Sequence, residues 1–166
     1  VADILSGKIN PSGKLPMTFP KAIEDHASHA NFPLEGIPFD PMSMFLKSDN
    51  KSEDEKIRNE DYTFYDEGIY VGYRHFDKLA LEVSYPFGYG LSYTDFELSD
   101  MQTTVKNDTI TVSLSVKNIG ITKGKEVVQI YTSKTNTTID RANQELKGFA
   151  KTTMLQPQQV DSVTVK

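Results

Sequence analysis

The chain has 166 residues and a net charge of −5, with 37% hydrophobic and 25% charged residues. This composition is typical of a soluble globular domain of ordinary size, and the acidic balance argues against nucleic acid or an anionic membrane surface as a partner. Cysteine is absent, which excludes disulfides and thiolate metal sites. No apolar run approaches the roughly 20 residues of a transmembrane helix.

The first 20 residues have the pattern of a helix end followed by an edge strand. Val1, Ile4 and Leu5 have helical spacing, and Gly7 after them can adopt the left-handed conformation that ends a helix. Residues 14–19 are predicted to be extended, and nearby prolines confine them to the edge of a sheet. Since the chain opens within a helical pattern, without an initiator Met or a signal-peptide pattern, we expect a fragment.

Two segments without strand periodicity follow. Residues 21–61 end in a charged run, which predicts a long loop or insertion. Residues 62–91 hold most of the aromatic side chains, interrupted by glycines, and this mixture predicts a well-packed irregular connector.

From residue 92 the pattern is that of short β-strands. Residues 110–117 alternate strictly between apolar and polar side chains, which predicts a strand with one buried and one wet face. Further strands are predicted near 94–98, at 126–133, at 144–153 with a break at Gly148, and from 160 onward. This spacing is typical of an immunoglobulin-like sandwich that is about two strands short. The strand at 126–133 would then lack a neighbour, so we expect the isolated chain to be marginally stable or prone to aggregate.

Several sequence blocks, in this order, resemble glycoside hydrolase family 3. They are ADILSGKINPSGKLPMTFP, DEGIYVGYRHFD, YPFGYGLSYTDFELS, VSLSVKNIGITKGKEVVQIYTS and ELKGFAKTTMLQP. The chain departs from the family pattern at Ala142, where the family usually has Pro, and at residues 157–159, where it tends to have Pro-Gly-Glu. Both positions are predicted surface turns, so the departures affect local loop shape and leave the resemblance intact.

The resemblance implies a mainly β fold with four parts. Residues 1–20 would be the helix–strand remnant of an α/β sandwich domain, 21–61 a loop or insertion and 62–91 the connector. Residues 92–166 would form a C-terminally truncated fibronectin type III-like domain. The contact expected within the parent is with the missing α/β domain, and the resemblance favours a periplasmic or secreted parent.

The resemblance also implies a parent that is a retaining β-glucosidase acting on terminal β-D-glucosyl residues of a β-glucoside or oligosaccharide. This chemistry needs two carboxyl groups about 5–5.5 Å apart and no cofactor. The family nucleophile is an Asp of an N-terminal barrel domain, and its acid/base is usually a Glu ahead of the segment present here. We therefore assign no catalytic, cofactor-binding or metal-binding residue, and we expect the chain alone to be inactive.

Residue patterns within the chain offer weaker candidates for a site. Asp66 and Glu67 lie between aromatic residues, a setting that raises carboxyl pKa values, but adjacent residues of a strand point to opposite faces and a structural role is favoured. His26 and His29 have a spacing that could bring two imidazoles to a metal, yet no third ligand is specified nearby. His75 is interpreted as a packed connector residue.

The aromatic residues leave three roles open. They could stack on sugar rings, or they could fix the sandwich to the α/β domain, which is the favoured interpretation. A further hypothesis places Phe39, Phe45 or Tyr62 over the active-site mouth of the parent, where Ala substitution would weaken long substrates selectively. The rival to an enzyme part is a non-catalytic β-sandwich that binds carbohydrate or protein, and it predicts a row of exposed aromatics on one sheet face. Between residues 109 and 133 the only aromatic residue is Tyr131.

Overall fold

The computed structural model describes residues 1–29 and 65–166. In this part the helices are α1 (Ala2–Leu5) and α2 (Tyr73–Leu79), and the strands are β1 (Phe19–Pro20), β2 (Val83–Tyr85), β3 (Phe96–Lys106), β4 (Thr109–Asn118), β5 (Val127–Thr132), β6 (Glu145–Lys151) and β7 (Val160–Val165). Strand prevails over helix, as predicted. No helix of these residues is long and apolar enough to cross a membrane.

The strands from β3 onward form a sandwich of two antiparallel sheets. One sheet has the order β3-β4-β7 and the other pairs β5 with β6. Between them lies a core of Val112, Leu114, Val116, Val128, Leu155, Val163 and Val165. The predicted β-sandwich is confirmed, since the described strands form two open antiparallel sheets over one apolar core.

Strand β4 is the central strand because its sequence alternates without interruption. Val112, Leu114 and Val116 are buried, whereas the serines between them are half-buried on the other face. The neighbours of β4 are β3 and β7, each antiparallel to it. This arrangement is the one that a period of two residues predicts for a strand with one face on the core.

Strand β3 is much longer than the segment near 94–98 that the sequence indicates. Its register against β4 shifts between Ser99 and Gln102, and Asp100 within the shift has a positive φ of 54°. Beyond this bulge nearly every residue is exposed. The extension has no alternating apolar pattern because it is held by backbone pairing with β4 and not by burial, and this explains why the sequence did not reveal it.

The predicted break at Gly148 is wrong, because β6 continues through this residue from Glu145 to Lys151. A Cβ atom on Gly148 would lie 2.5 Å from Val165 Cγ1, so only glycine lets β7 approach this closely. Opposite it the register of the β5–β6 pair shifts between Ile130 and Tyr131. The close approach and the irregular ladder therefore occur at the same level of the sandwich.

The predicted irregular connector contains regular structure, which corrects that part of the prediction. The helix α2 begins after Gly72 (φ 60°) and ends at Ala80, which has the left-handed conformation (φ 50°). Only Phe76 is buried in α2, so this short helix lacks the repeated apolar spacing that reveals a helix in a sequence. Residues 66–69 form a turn, so the expectation that Asp66 and Glu67 lie in a strand is wrong.

The first residues follow the predicted pattern in part. The helix α1 is present, and Gly7 after it has a φ of 75°. The extended segment forms ladder bonds only at β1, which pairs with β2 at the edge of a two-stranded sheet. Proline at residue 20 cannot donate a ladder hydrogen bond, so pairing is confined to a short stretch.

Acidification is expected to weaken the sandwich partly through Asp161 at the start of β7. The Thr153 backbone N and Oγ1 both donate to Asp161 Oδ2 at 2.9 Å, and the bond from the backbone N is the main cause that lowers the Asp161 pKa below its ordinary 3.8. A carboxyl with a lower pKa in the folded state stabilises the fold above its unfolded pKa, and this stabilisation is lost as pH falls through the folded value, below about pH 4.

The Asp161→Asn variant tests this dependence. Its urea midpoint should lie below that of the wild type near neutral pH, and the two midpoints should converge as the pH falls through the lowered folded-state pKa of Asp161, because the wild-type side chain then also becomes uncharged. A gap between the midpoints that stays constant over this range would contradict the assigned role of Asp161.

Candidate functional site

Asn10 connects the first 20 residues to two other parts of the chain. Its Nδ2 donates to Lys123 O at 3.0 Å, and its Oδ1 accepts from Ser92 Oγ at 3.1 Å and Tyr93 N at 2.8 Å. Lys123 lies between β4 and β5, whereas Ser92 and Tyr93 precede β3. We call residues 10–15, 88–94 and 120–126, which meet here, the junction.

Backbone hydrogen bonds also connect the segments of the junction. Leu15 N donates to Tyr89 O at 2.7 Å and Gly88 N donates to Leu15 O at 2.9 Å. The hydroxyl of Tyr93 donates to Ile4 O at 2.8 Å, next to the end of α1. The two segments therefore run side by side with paired backbone groups, as strands of a sheet would, although neither is a regular strand here.

One ion pair of the junction is largely shielded from water. Lys14 Nζ lies 2.7 Å from Glu126 Oε1, and the two side chains are only 23% and 17% exposed. Removing one partner would leave the other charge desolvated, which is costlier than breaking an exposed pair. Glu126 directly precedes β5, so this pair links residues 10–15 to the second sheet of the sandwich.

A first aromatic group fixes α2 to the outer face of the β5–β6 sheet. The ring centroid of Tyr73 lies 4.8 Å from Phe87 and 6.0 Å from Tyr131. Tyr73 Oη also accepts a hydrogen bond from Leu146 N at 2.9 Å, beside the irregular part of the ladder. Burial raises the pKa of the Tyr131 phenol above its ordinary 10.0, and nearby Tyr73 and Asp77 add to this shift.

Polar contacts hold the loop between β5 and β6 against α2. Asn143 Nδ2 donates to Asp77 O and Gln144 Nε2 donates to Asp77 Oδ2, each at 2.9 Å. The Tyr70 hydroxyl donates to Asp140, and this bond is the main cause that lowers the Asp140 pKa. Together with the first aromatic group, these contacts make α2 part of the sandwich's surface.

A second aromatic group lines an open groove next to the junction. We call it the aromatic groove, and its walls are Leu15, Phe19, Tyr85, Tyr89 and Leu91, with a volume of about 660 Å³. Phe19, Tyr85 and Leu91 are 43%, 47% and 67% exposed. Phe19 and Tyr85 meet edge to face at 84°, and Tyr85 and Tyr89 are inclined at 48°. These inclined rings do not form a flat platform for a sugar ring.

The candidate residues named from sequence lie apart from the junction. Asp66 and Glu67 are in the turn before α2, and Asp66 is exposed. The His26 ring meets Phe76 edge to face at 6.0 Å, His29 N donates to His26 O, and His75 Nε2 lies 3.0 Å from Asp25 O. Across residues 1–29 and 65–166 no three His, Cys, Asp or Glu side chains are grouped as a metal site would require. Phe39, Phe45 and Tyr62 lie outside the described residues.

Hydrogen bonds and lysines favour the charged form of several carboxyl groups. The pKa of Glu82 is lowered by Lys21, that of Glu145 by Lys147 and that of Asp161 by Thr153, in each case mainly through a hydrogen bond. A general acid for glycoside cleavage needs the opposite shift, since it must hold a proton near neutral pH. These carboxyl groups are therefore unsuited to that role, and the assignment of no catalytic residue stays a prediction.

Asn10, Lys14 and Glu126 were not singled out by the sequence analysis. Asn10 and its partner Lys123 are 113 residues apart, and a single sequence carries no signal that pairs them. The first two residues lie in the block ADILSGKINPSGKLPMTFP, and Glu126 lies in the block that contains β5. The resemblance therefore marked the right segments without indicating which side chains join them.

Two family models match the chain. The Glycosyl hydrolase family 3 C-terminal domain matches residues 1–73, and the Fibronectin type III-like domain matches residues 126–166. The predicted boundaries at residues 20, 61 and 91 stay predictions.

Known proteins resemble nearly the whole chain. Thermostable beta-glucosidase B of Acetivibrio thermocellus is 39% identical, covering 99% of this chain and 19% of that protein. Probable beta-glucosidase K of Emericella nidulans is 43% identical, covering 99% of this chain and 16% of that protein. The structure of beta-glucosidase 3B from Thermotoga neapolitana in complex with glucose superposes with a TM-score of 0.80 at 41% identity, covering 99% of this chain and 20% of that one.

The chain thus spans about a fifth, or less, of the relatives that it matches. Both parts of the resemblance are confirmed, because the two family models occur in the expected order and the fold is similar to that of a β-glucosidase with a TM-score of 0.80. The chain belongs to glycoside hydrolase family 3 and corresponds to the C-terminal part of its β-glucosidases.

Proposed function

We propose that this chain is the C-terminal structural portion of a retaining β-glucosidase-type enzyme that hydrolyses terminal β-D-glucosyl residues of β-glucosides or oligosaccharides. The observation that carries the proposal is the junction, where Asn10 and the Lys14–Glu126 pair fix residues 1–20 to the sandwich. These hydrogen bonds, together with the shielded ion pair, give the two parts one relative position. The chain itself is proposed to contribute no reacting group.

The proposed role follows from what glycoside cleavage demands of its surroundings. A retaining mechanism needs a nucleophile and an acid/base held about 5–5.5 Å apart, and small displacements of such groups reduce the rate strongly. Both carboxyl groups are proposed to lie in the rest of the parent polypeptide. A rigid support that begins in residues 1–20 and ends in a β-sandwich would keep that part aligned.

The rival function, a module that binds carbohydrate through its sandwich, has less support. Strands β3–β7 contain three aromatic residues, namely Phe96, Tyr131 and Phe149. Phe96 packs against the core and Tyr131 is half-buried beside Tyr73, which leaves Phe149 as the exposed one of the three. A single exposed ring cannot form the row of stacking faces that polysaccharide binding on a sheet would require.

A chimera with a relative tests the proposed function. The C-terminal fifth of beta-glucosidase 3B from Thermotoga neapolitana, which matches this chain, is replaced by residues 1–166. The chimera is expected to hydrolyse a chromogenic β-glucoside, whereas the 166-residue chain alone and the relative without its last fifth are expected not to. A folded chimera without activity would contradict the proposal.

The chain alone provides the second arm of this test. Turnover by the purified chain that disappears in the Glu67→Gln variant would show that it holds its own catalytic carboxyl. That result would overturn the structural role, because the proposal places both reacting groups elsewhere.

A further inference from the structure

Residues 1–20 present an unusual amount of uncovered apolar surface. Their exposed apolar side chains include Val1, Leu5, Ile9, Met17 and Phe19. Single exposed apolar residues are common on any protein, but these lie within one short segment that also forms one wall of the aromatic groove. A concentration of exposed apolar side chains beside a groove is typical of a site of contact with another body.

The shape and chemistry of the groove favour a protein surface over a sugar. A pyranose needs several hydrogen-bonding partners as well as an aromatic face. The groove offers mainly Leu15, Phe19 and Leu91 beside its two tyrosines, and the charged Lys14 on its rim is already paired with Glu126. Because the rings are inclined to one another, apolar side chains fit between them better than a flat ring does.

We propose that the aromatic groove is the docking surface for the preceding part of the same polypeptide. The inference rests on the proposed function, and it adds the surface and the partner. In the relatives about four fifths of the chain lies outside the matched part, so a large body is available to cover the groove. One wall of the groove is continuous in sequence with α1, whose Val1 and Leu5 are uncovered as well.

The uncovered side chains of α1 and the groove wall formed by Leu15 and Phe19 both belong to the segment that the family 3 C-terminal domain model matches. The other wall, residues 85–91, is fixed to this segment by the backbone bonds between Leu15, Gly88 and Tyr89. A body that packs along residues 1–20 thus meets the groove and the junction at once. Docking there would transmit the position of the sandwich directly to that body.

The test compares two lysine substitutions in the chimera. Leu91→Lys places a charge in the groove, whereas Phe149→Lys places the same charge at a similarly exposed ring on β6; the two side chains are 67% and 68% exposed. Since both side chains are exposed in the chain itself, neither variant should change how the 166-residue chain unfolds. In the chimera, Leu91→Lys is expected to shorten the half-life of activity at elevated temperature about tenfold, and Phe149→Lys should leave it unchanged.

The other possible results distinguish the docking surface from the proposed function and from other occupants of the groove. Equal half-lives for both variants in an active chimera would overturn the docking surface and leave the proposed function standing, whereas an inactive wild-type chimera would overturn the proposed function itself. Glucose or cellobiose that perturbs the Tyr85 ring resonances of the chain, with the effect lost in Leu91→Lys, would assign the groove to a sugar instead. A dimer of the chain that Leu91→Lys separates would assign it to a second copy.

Discussion

Replacing Asn118 with aspartate is expected to unfold most of the isolated chain. Asn118 is fully buried, and its Nδ2 donates to Thr122 O at 2.8 Å and Leu155 O at 3.0 Å. In the variant a carboxylate oxygen would face these two carbonyl oxygens, with neither proton nor water between them. A buried charge left without a partner costs about 3–5 kcal/mol, which is a large part of the stability of a small domain.

The variant retains only half of the hydrogen bonds of the amide. Asn118 Oδ1 accepts from Thr94 Oγ1 at 2.7 Å and from Gly120 N at 3.1 Å, and a carboxylate oxygen can still accept both. The loss therefore comes from the Nδ2 side, and protonation of the aspartate should restore part of it. Circular dichroism and the dispersion of amide resonances, both recorded near neutral pH, measure the unfolding. Lowering the pH towards about 5 should reduce the difference in folded fraction between the variant and the wild type.

Asn107→Asp is the matched control. It makes the same chemical change in the exposed turn between β3 and β4, where Asn107 has a positive φ of 47° that aspartate also tolerates. Its effect should stay within about 0.5 kcal/mol. If Asn118→Asp were no more destabilising than this control, the buried amide would not hold the sandwich together.

Asn118 explains how the end of the connector and the sandwich are joined. Its side chain contacts Thr94 before β3, the turn after β4, and Leu155 before β7. Its backbone groups pair with Gln159 O and Gln158 N. One buried residue thus links three segments that enter or leave the two sheets, and the core cluster begins directly beside it at Val116.

The sequence predicted the parts of the fold that depend on local periodicity. Strand β4 was predicted correctly because its apolar residues alternate with serines and threonines. Gly148 does not break β6, but the close approach of Val165 explains why glycine occupies this position. The helix α2 was not predicted, because Phe76 is its only buried residue and it therefore lacks a repeated apolar spacing. The long outer part of β3 was not predicted for a related reason. It is held by backbone pairing with β4 and not by burial of apolar side chains.

The candidate site depended on contacts that a single sequence cannot show. The sequence analysis did not single out Asn118, although its buried amide donates two hydrogen bonds and accepts two. Asn10 was not singled out either, and its contact with Lys123 spans 113 positions. The resemblance indicated that the first 20 residues and the sandwich are neighbouring parts of one enzyme, but it did not indicate which side chains connect them.

Gly90→Ala is expected to loosen residues 10–15 from the rest of the junction. A Cβ atom on Gly90 would lie 2.5 Å from Gly13 O and 2.7 Å from Lys14 Cδ. The lysine side chain can move, but the carbonyl belongs to a backbone held by the bonds between Leu15, Gly88 and Tyr89. Forcing such a contact costs about 1–3 kcal/mol. Amide exchange at Leu15 and Gly88 should therefore accelerate about tenfold, while that of β4 stays nearly unchanged.

Gly13→Ala is the control from the opposite side of the same contact. A Cβ atom on Gly13 meets nothing within 4 Å, so this variant should be neutral or should stabilise the fold by about 0.4–1 kcal/mol through the unfolded state. The comparison therefore separates a close backbone approach from a general intolerance of methyl groups in the junction. Equal exchange rates in the two variants would show that the close approach of Gly90 to Gly13 does not contribute to holding residues 10–15. In the active chimera, Gly90→Ala should also lower turnover more than Gly13→Ala does, because a loosened junction no longer fixes the catalytic part relative to the sandwich.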